Sequence, residues 1–175
     1  MIASPVLPVI ETERLRLVQP AASHIPAMTA FHGSDRAAAL DWQLMPHEAW
    51  RHFAFVLGHT VLRGFGPFVA EAKEDGRAVG LFGPWHPEGQ PEQELKWTVW
   101  SAADEGKGFA FEAARAMLGH AFGTLGWTTA VSYIRPSNAR SAALARRLGA
   151  REDGTWTTPR GTEVRVFRHQ PGGAA

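Results

Sequence analysis

The chain contains no cysteine. That absence excludes disulfides, thiolate metal sites and a cysteine nucleophile together, and it fits a reducing compartment. A surplus of one charge is missing as well, since 18 Lys and Arg face 17 Asp and Glu. A chain so balanced sets up no global field to gather nucleic acid or an anionic membrane surface. Long apolar runs are lacking too, and no stretch approaches the about 20 residues that a membrane span needs. The opening MIASPVLPVI has no basic residue, and Pro5 and Pro8 break its apolar run, so it does not read as a signal peptide. Together these features predict a cytoplasmic protein with neither nucleic acid nor membrane as a direct partner. Tyrosine occurs once, at Tyr133, against 7 tryptophans.

What is present points to one domain. A length of 175 residues suits a single core that needs no metal or disulfide to fold. We expect that domain over residues 1–169, with a flexible tail over 170–175. Residues 13–18, ERLRLV, alternate charged and apolar and predict a half-buried strand. PAASHIPAMTAFHGS reads as a helix that Gly33 stops, and 46–62 as a second, with Trp50, Phe53, Ala54, Leu57 and Val61 on one face. Strands are predicted over 67–73, 78–82 and 94–100, the first two joined by the EDGR turn, the last preceded by the Pro- and Gly-rich loop 83–93. A helix over 106–125 carries an apolar stripe from Ala110 to Leu125, with Gly126 placed to end it. A buried strand over 128–134, a helix opened by Pro136-Ser137-Asn138 and running to Leu148, and a strand over 164–168 complete the order β-α-α-β-β-β-α-β-α-β. This is a mixed α/β class.

The segment DEGKGFAFEAA, residues 104–114, sets two glycines just ahead of the strongest helix. A helix start has unpaired N–H groups and partial positive charge, and glycine lets an anion approach the backbone closely. The segment therefore suits a phosphate or diphosphate. It fails the P-loop spacing, and it fails the dinucleotide fingerprint because Phe111 stands where a small residue is needed.

A third pattern fits. Glu105-Gly106-Lys107-Gly108-Phe109-Ala110 resembles the Gln/Arg-x-x-Gly-x-Gly/Ala loop of the GNAT superfamily of acyl-CoA N-acyltransferases. ETERLRL is similar to the opening strand of its RimJ/RimL-like branch, GKGFAFEAARAMLGHAFGTLG to its coenzyme helix, and IRPSNARSAALARRLGA to the strand and helix that follow. The likeness spans about residues 11–168. It implies a central mixed, mostly antiparallel sheet with helices on both faces.

The resemblance implies transfer of an acetyl group from acetyl-CoA, used as a co-substrate without a metal, to a primary amine by direct attack in a ternary complex. It implies that N–H groups of Gly106, Lys107, Gly108, Phe109 and Ala110 anchor the coenzyme. It implies that the preceding strand is splayed from its neighbour and offers Trp97, Thr98 and Val99 to the pantetheine arm. Asn138 and Ser141 border that arm, Ser141 donating to the sulfur; an ordinary helix cap and an idle first-turn serine are the alternatives. Glu94 is the candidate base, acting through water, against a solvated strand-end carboxylate; His86 and His47 are runners-up. Two departures stand out. Glu105 replaces Gln or Arg, and since a carboxylate repels a diphosphate its side chain is expected to point to solvent. Ala145 occupies the place of the tyrosine that protonates the departing thiolate in many members. Trp42, Trp50 and Trp85 fall in segments that line the acceptor cleft, whereas Trp97, Trp127 and Trp156 read as core. Those segments hold few acids, which favours a protein N-terminus, a peptide or a small amine as acceptor. A non-catalytic acyl-CoA-binding or sensing module is the alternative, and a homodimer is left open.

Overall fold

The segment ERLRLV forms a strand because Leu15 and Leu17 reach full burial while Arg16 stays in water. The computed structural model of the chain describes residues 5–172, so the first four residues of the N-terminal reading and positions 173–175 of the expected tail lie outside the described residues. Along these the chain runs β1 (Ile10–Glu11), β2 (Leu15–Val18), α1 (Ile25–His32), α2 (Asp35–Ala39), α3 (Pro46–Arg63), β3 (Phe68–Ala72), β4 (Ala78–Trp85), β5 (Glu94–Val99), α4 (Phe109–Gly123), β6 (Ala130–Ile134), α5 (Ala139–Arg147), β7 (Arg151–Thr157) and β8 (Glu163–His169). One sheet holds the strands in the order β1-β2-β3-β4-β5-β6-β8-β7. Neighbours are antiparallel except β5 and β6, which are parallel.

The pleat sends alternate residues to opposite faces. On one face Leu15, Phe68, Phe82 and Leu95 pack under α4 through Ala113, Ala114 and Met117. On that same side α5 lays Ala142 and Ala145 against Ile134 and Phe167. On the other face Val69, Leu81, Trp85 and Trp100 meet Met28 and Phe31 of α1 and Phe53 and Val56 of α3. The predicted mixed sheet with helices on both faces is therefore the observed architecture.

Three elements are additional to the predicted order, each for a physical reason. Strand β1 spans two residues and gains its identity only by pairing with β2. Helix α2 has five residues, started by the Ser34 side chain accepting from the Ala37 N–H, and is too short to show a period. Strand β7 lies at the sheet edge with all but Trp156 exposed, so it carries no apolar alternation. Helix α4 starts at Phe109 rather than Gly106, because Gly106 and Gly108 take φ of 72° and 83°. It ends at Gly123, ahead of Gly126, whose φ is 69°.

The sheet leaves no room for a side chain where β4 crosses β5. A Cβ on Gly80 would collide with the Thr98 carbonyl. We expect Gly80→Ala to destabilise the fold by about 1–3 kcal/mol or more, the range for forcing extra atoms into a packed interior. A thermal melt reads this as a lowered Tm; an unchanged Tm contradicts the close approach.

Candidate active site

Strands β5 and β6 share one register pair, Glu94 opposite Val131. The Val131 N–H donates to the Gln93 carbonyl at 2.9 Å. In a continuing parallel ladder the Leu95 carbonyl would accept from the Tyr133 N–H. Instead the Ser132 hydroxyl takes it, at 2.7 Å, and the strands part. Ser132 is also 3.0 Å from His169 Nε2, and the two residues are 2% and 1% exposed. A hydroxyl has one proton, here spent on Leu95, so His169 Nε2 carries the hydrogen and donates to Ser132. His169 Nδ1 is left buried without a partner, and burial brings this imidazole down to about 4.

Beyond that point the main chain of β5 faces a widening gap at every second residue. The Val99 carbonyl turns into the gap and accepts from Arg36 Nε at 2.8 Å. The Trp100 N–H turns the other way and donates to Val79 on the β4 side at 2.9 Å. By the same alternation the N–H and carbonyl of Trp97 face the gap, whereas Thr98 faces β4. Of the three residues expected along the coenzyme arm, Trp97 and Val99 present backbone to the gap and Thr98 does not.

The gap opens toward the loop before α4. Among the described residues, no main-chain N–H from Gly106 through Phe111 donates a hydrogen bond. The left-handed φ at Gly106 and Gly108 is the reason glycine stands there, since a Cβ at Gly106 would meet nothing within 4 Å. Side chains from turns distant in the chain hold this loop. Arg14 donates through Nη1 to the Lys107 carbonyl at 2.8 Å and through Nε to Glu112 at 2.8 Å. Thr12 Oγ1 donates to Glu112 at 2.6 Å. Burial works against the Glu112 charge, but Thr12 and Arg14 hold its carboxyl below the ordinary value. Arg77 pairs at 2.8 Å with Asp104, which is buried. With the Lys107 carbonyl turned toward Arg14, the loop's N–H groups are left free for an anion.

The acetyltransferase (GNAT) domain family matches residues 14–151. The chain belongs to that family. It is similar to an acetyltransferase from Agrobacterium tumefaciens, with 33% identity, 94% of this chain and 95% of the other covered, and a TM-score of 0.84. Two other solved structures share the fold. One is RimL, a ribosomal L7/L12 alpha-N-protein acetyltransferase in complex with coenzyme A, with 18% identity, 94% and 97% coverage and a TM-score of 0.74. The other is an aminoglycoside acetyltransferase in complex with coenzyme A and kanamycin, with 17% identity, 90% and 94% coverage and a TM-score of 0.71. As a GNAT acetyltransferase, the chain takes its acetyl group from acetyl-CoA. The free N–H groups of the loop and the unpaired β5 edge fit that molecule's diphosphate and amide-bearing arm.

The other predicted residues of the acetyltransferase sit around this cleft. Glu94 opens β5 and accepts from Gln90 Nε2 at 2.9 Å. Burial raises its carboxyl above the ordinary value, partly offset by Lys96, Gln90 and the Tyr133 N–H. It lines a cavity of about 420 Å³ with Tyr133, Trp156, Arg135 and Arg160. Asn138 caps α5, its Oδ1 accepting from the Ser141 N–H at 3.1 Å. Ser141 Oγ accepts from Trp97 Nε1 at 3.2 Å, which leaves its own proton free to donate. Lys107 extends its side chain to Asp104 at 3.7 Å. Phe109 is buried beneath the Arg14 guanidinium, 4.9 Å from its ring, and Ala110 lies against the core.

The expected solvent-facing Glu105 requires correction. Its side chain is 28% exposed and sits between Arg36 and Arg140, the latter at 2.6 Å. Burial opposes its charge, but the two guanidiniums hold its carboxyl below the ordinary value. Two cations thus neutralise the carboxylate beside the glycine loop. Ala145 is fully buried in α5, so its place offers no proton donor. The Tyr133 hydroxyl lies buried on β6; the Glu92 main chain approaches it without completing a hydrogen bond, and burial raises it to about 12. His86 is held in its loop, its N–H donating to His59 Nε2 at 2.9 Å and its ring meeting the Gln90 carbonyl at 3.0 Å. His47 is exposed on the first turn of α3. Trp42 and Trp85 join one apolar cluster on the α1–α3 face, but Trp50 is 56% exposed and outside it. Trp127 is buried, Trp97 is half-buried against the core, and Trp156 is half-buried with its ring 4.6 Å from Tyr133.

Arg14, Arg36, Ser132 and His169 escaped the sequence reading, because each acts through a partner far along the chain. Lys96 could have been found, since strand alternation puts it on the face of Glu94.

Arg14 is exposed enough for water to screen its ion pair, so its worth lies in orienting the loop. We expect Arg14→Ala to weaken coenzyme A binding by about 3- to 10-fold in calorimetry, the scale of one charged hydrogen bond discounted for exposure. Unchanged affinity rejects the bracing role. His169 sets a pH dependence. Its folded value of about 4 lies below an unfolded value of about 6.5, so the unfolded chain binds the extra proton as pH falls. Stability is therefore lost from pH 7 toward 4. His59, also brought to about 4, acts in the same sense, and the raised Glu94 opposes them. Denaturation at pH 7, 6 and 5 should show this decline, with a shallower slope in His169→Gln.

Proposed function

We propose that the chain is an N-acetyltransferase that passes the acetyl group of acetyl-CoA to the α-amine of a peptide, a protein N-terminus or a small amine, by direct attack with both substrates bound. The observation that carries this reading is the unpaired edge of β5 running into the hydrogen-bond-free N–H groups before α4. The N–H groups of Gly106 to Ala110 hold the diphosphate. Trp97 and Val99 hold the pantetheine arm in register along β5. An N–H of this edge aimed at the developing oxyanion is worth about 10² to 10³ in rate by analogy with other acyl transfers. Ser141, positioned by Trp97 and by Asn138, donates to the sulfur as the thiolate leaves. A thiol has a pKa of about 8.5, so this assistance replaces a tyrosine at Ala145.

Glu94 takes the proton from the amine, directly or through water. Its raised pKa keeps it a stronger base than an exposed carboxylate. The cavity beside it supports the acceptor class. Glu94 is its one acid, and Arg135 and Arg160 stand among its lining residues. Such a wall repels a polycation and suits an amine that carries carbonyl or carboxylate oxygens. An α-amine of pKa about 7.7–8.0 is already partly neutral at pH 7 and asks less of the base than a lysine at about 10.4.

The test is a pH–rate profile with a short peptide as acceptor. The rate should rise with pH as Glu94 ionises, above the ordinary range of a carboxyl. Glu94→Gln should lower kcat by about 10²-fold and lose that limb, with coenzyme affinity within about twofold. An unaltered profile in Glu94→Gln removes Glu94 as the base. Coenzyme binding without thiol release for any amine removes the enzymatic reading.

A further inference from the structure

Lys96 is two residues after Glu94 on the same face of β5, and the proposed mechanism gives it no role. Its Nζ lies 4.5 Å from the Trp85 ring centroid and 5.4 Å from that of Trp42. The chain's other lysines each meet an acid, Lys73 with Glu11 at 2.9 Å and Lys107 with Asp104 at 3.7 Å. Lys96 meets none within ion-pair distance among the described residues, and the Glu94 carboxylate is bonded to Gln90 instead. Two ring faces are its surroundings, and cation–π contact compensates a desolvated ammonium by only about 0.5–2 kcal/mol.

The neutral form of this amine is favoured by burial and not by a charge beside it. Burial lowers the Lys96 pKa, and Glu94 is the one charge that raises it. From α1 and α3, His32, His52 and His59 surround the same rings, and burial lowers all three, His52 to about 3 and His59 to about 4. Arg63 of α3 adds a distant positive charge toward His59. A neutral lysine is a nucleophile, whereas an ammonium is not.

Position completes the case, resting on the reading of this gap as the acetyl-CoA cleft. With the diphosphate at Gly106–Ala110 and the arm along β5, the thioester end lies toward the apex where β5 leaves β6. Lys96 and Trp97 follow directly after that apex. We propose that Lys96 is an internal acetyl acceptor: in the absence of an external amine, the enzyme transfers the acetyl group of its own bound acetyl-CoA to Lys96 Nζ. The nitrogen lone pair attacks the thioester carbonyl carbon, the C–N bond forms and the C–S bond breaks. The electron pair leaves on sulfur, and the proton shed by nitrogen passes by way of Glu94 to the thiolate. The products are Nε-acetyl-Lys96 and coenzyme A with a free thiol. The amide then stands between Trp42 and Trp85, on the side of β5 that carries Glu94, and slows further turnover.

The experiment incubates the full chain with acetyl-CoA and no acceptor, then maps acetyl-lysine by mass spectrometry after digestion with a protease that does not cut at lysine. Coenzyme A binding by calorimetry and transfer to a peptide α-amine are measured in parallel. Acetyl should accumulate on Lys96 at least about tenfold faster than on Lys73 and Lys107, whose amines are held by carboxylates. Excess coenzyme A should suppress the mark, and Lys96→Arg should lose it while still binding coenzyme A. Pre-acetylated protein should acetylate the peptide more slowly. Equal labelling of the three lysines, labelling that ignores excess coenzyme A, or no label on Lys96 while the peptide is acetylated overturns the proposal alone. Failure of coenzyme A to bind overturns the cleft reading and the proposal with it.

Discussion

A single missing rung in the sheet governs this protein. Strand β6 approaches β5 closely enough for Val131 to bond Gln93, and the next carbonyl is satisfied by the Ser132 side chain instead of by backbone. A hydroxyl on a side chain reaches where a strand cannot, so Leu95 is paired while the two main chains diverge. Buried carbonyls are seldom left unpaired, and this substitution lets the sheet open without that penalty. The cost moves one step back, to a His169 nitrogen with no partner. The open edge of β5 thus rests on the buried Ser132–His169 pair behind it.

The anion loop follows the same logic with charge. Free N–H groups are useful only if the chain cannot collapse onto them. Arg14 holds the Lys107 carbonyl, Arg77 holds Asp104, and Arg36 with Arg140 hold Glu105. Three braces from the residue ahead of β2, from the residue ahead of β4, and from α2 with α5 meet within a few residues of chain. Such bracing reduces the reorganisation needed when the ligand arrives, which is how fixed dipoles gain their catalytic worth. Glu105, which looks hostile to a diphosphate in isolation, also links the helices on opposite sides of the gap at its wide end.

The two faces of β5 divide the labour. Leu95 and Val99 face α4 and fasten the strand to the core, with Trp97 beside them reaching Ser141. Glu94 and Lys96 face the other way, toward the cavity and the Trp42–Trp85 pair. Carboxylate and amine, both half-buried, have their proton affinities displaced in opposite directions by burial.

Much was legible in the residues themselves. Periodicity located the long helices and the buried strands, and DEGKGFAFEAA announced a helix start fit for an anion, because apolar spacing and glycine placement are local properties. The short or wholly exposed elements β1, α2 and β7 were illegible, since two residues, five residues or a water-facing edge carry no period. Glu105 was misread because its two arginines lie at positions 36 and 140, far outside any local window. What the sequence alone determined was the order of elements, the class of fold and the glycine-marked helix start, all encoded within a turn or two of chain. Only the tertiary structure decided which carbonyls lack a strand partner, which charges are neutralised and which amine is left without an acid partner, because each depends on groups that folding brings together from distant positions.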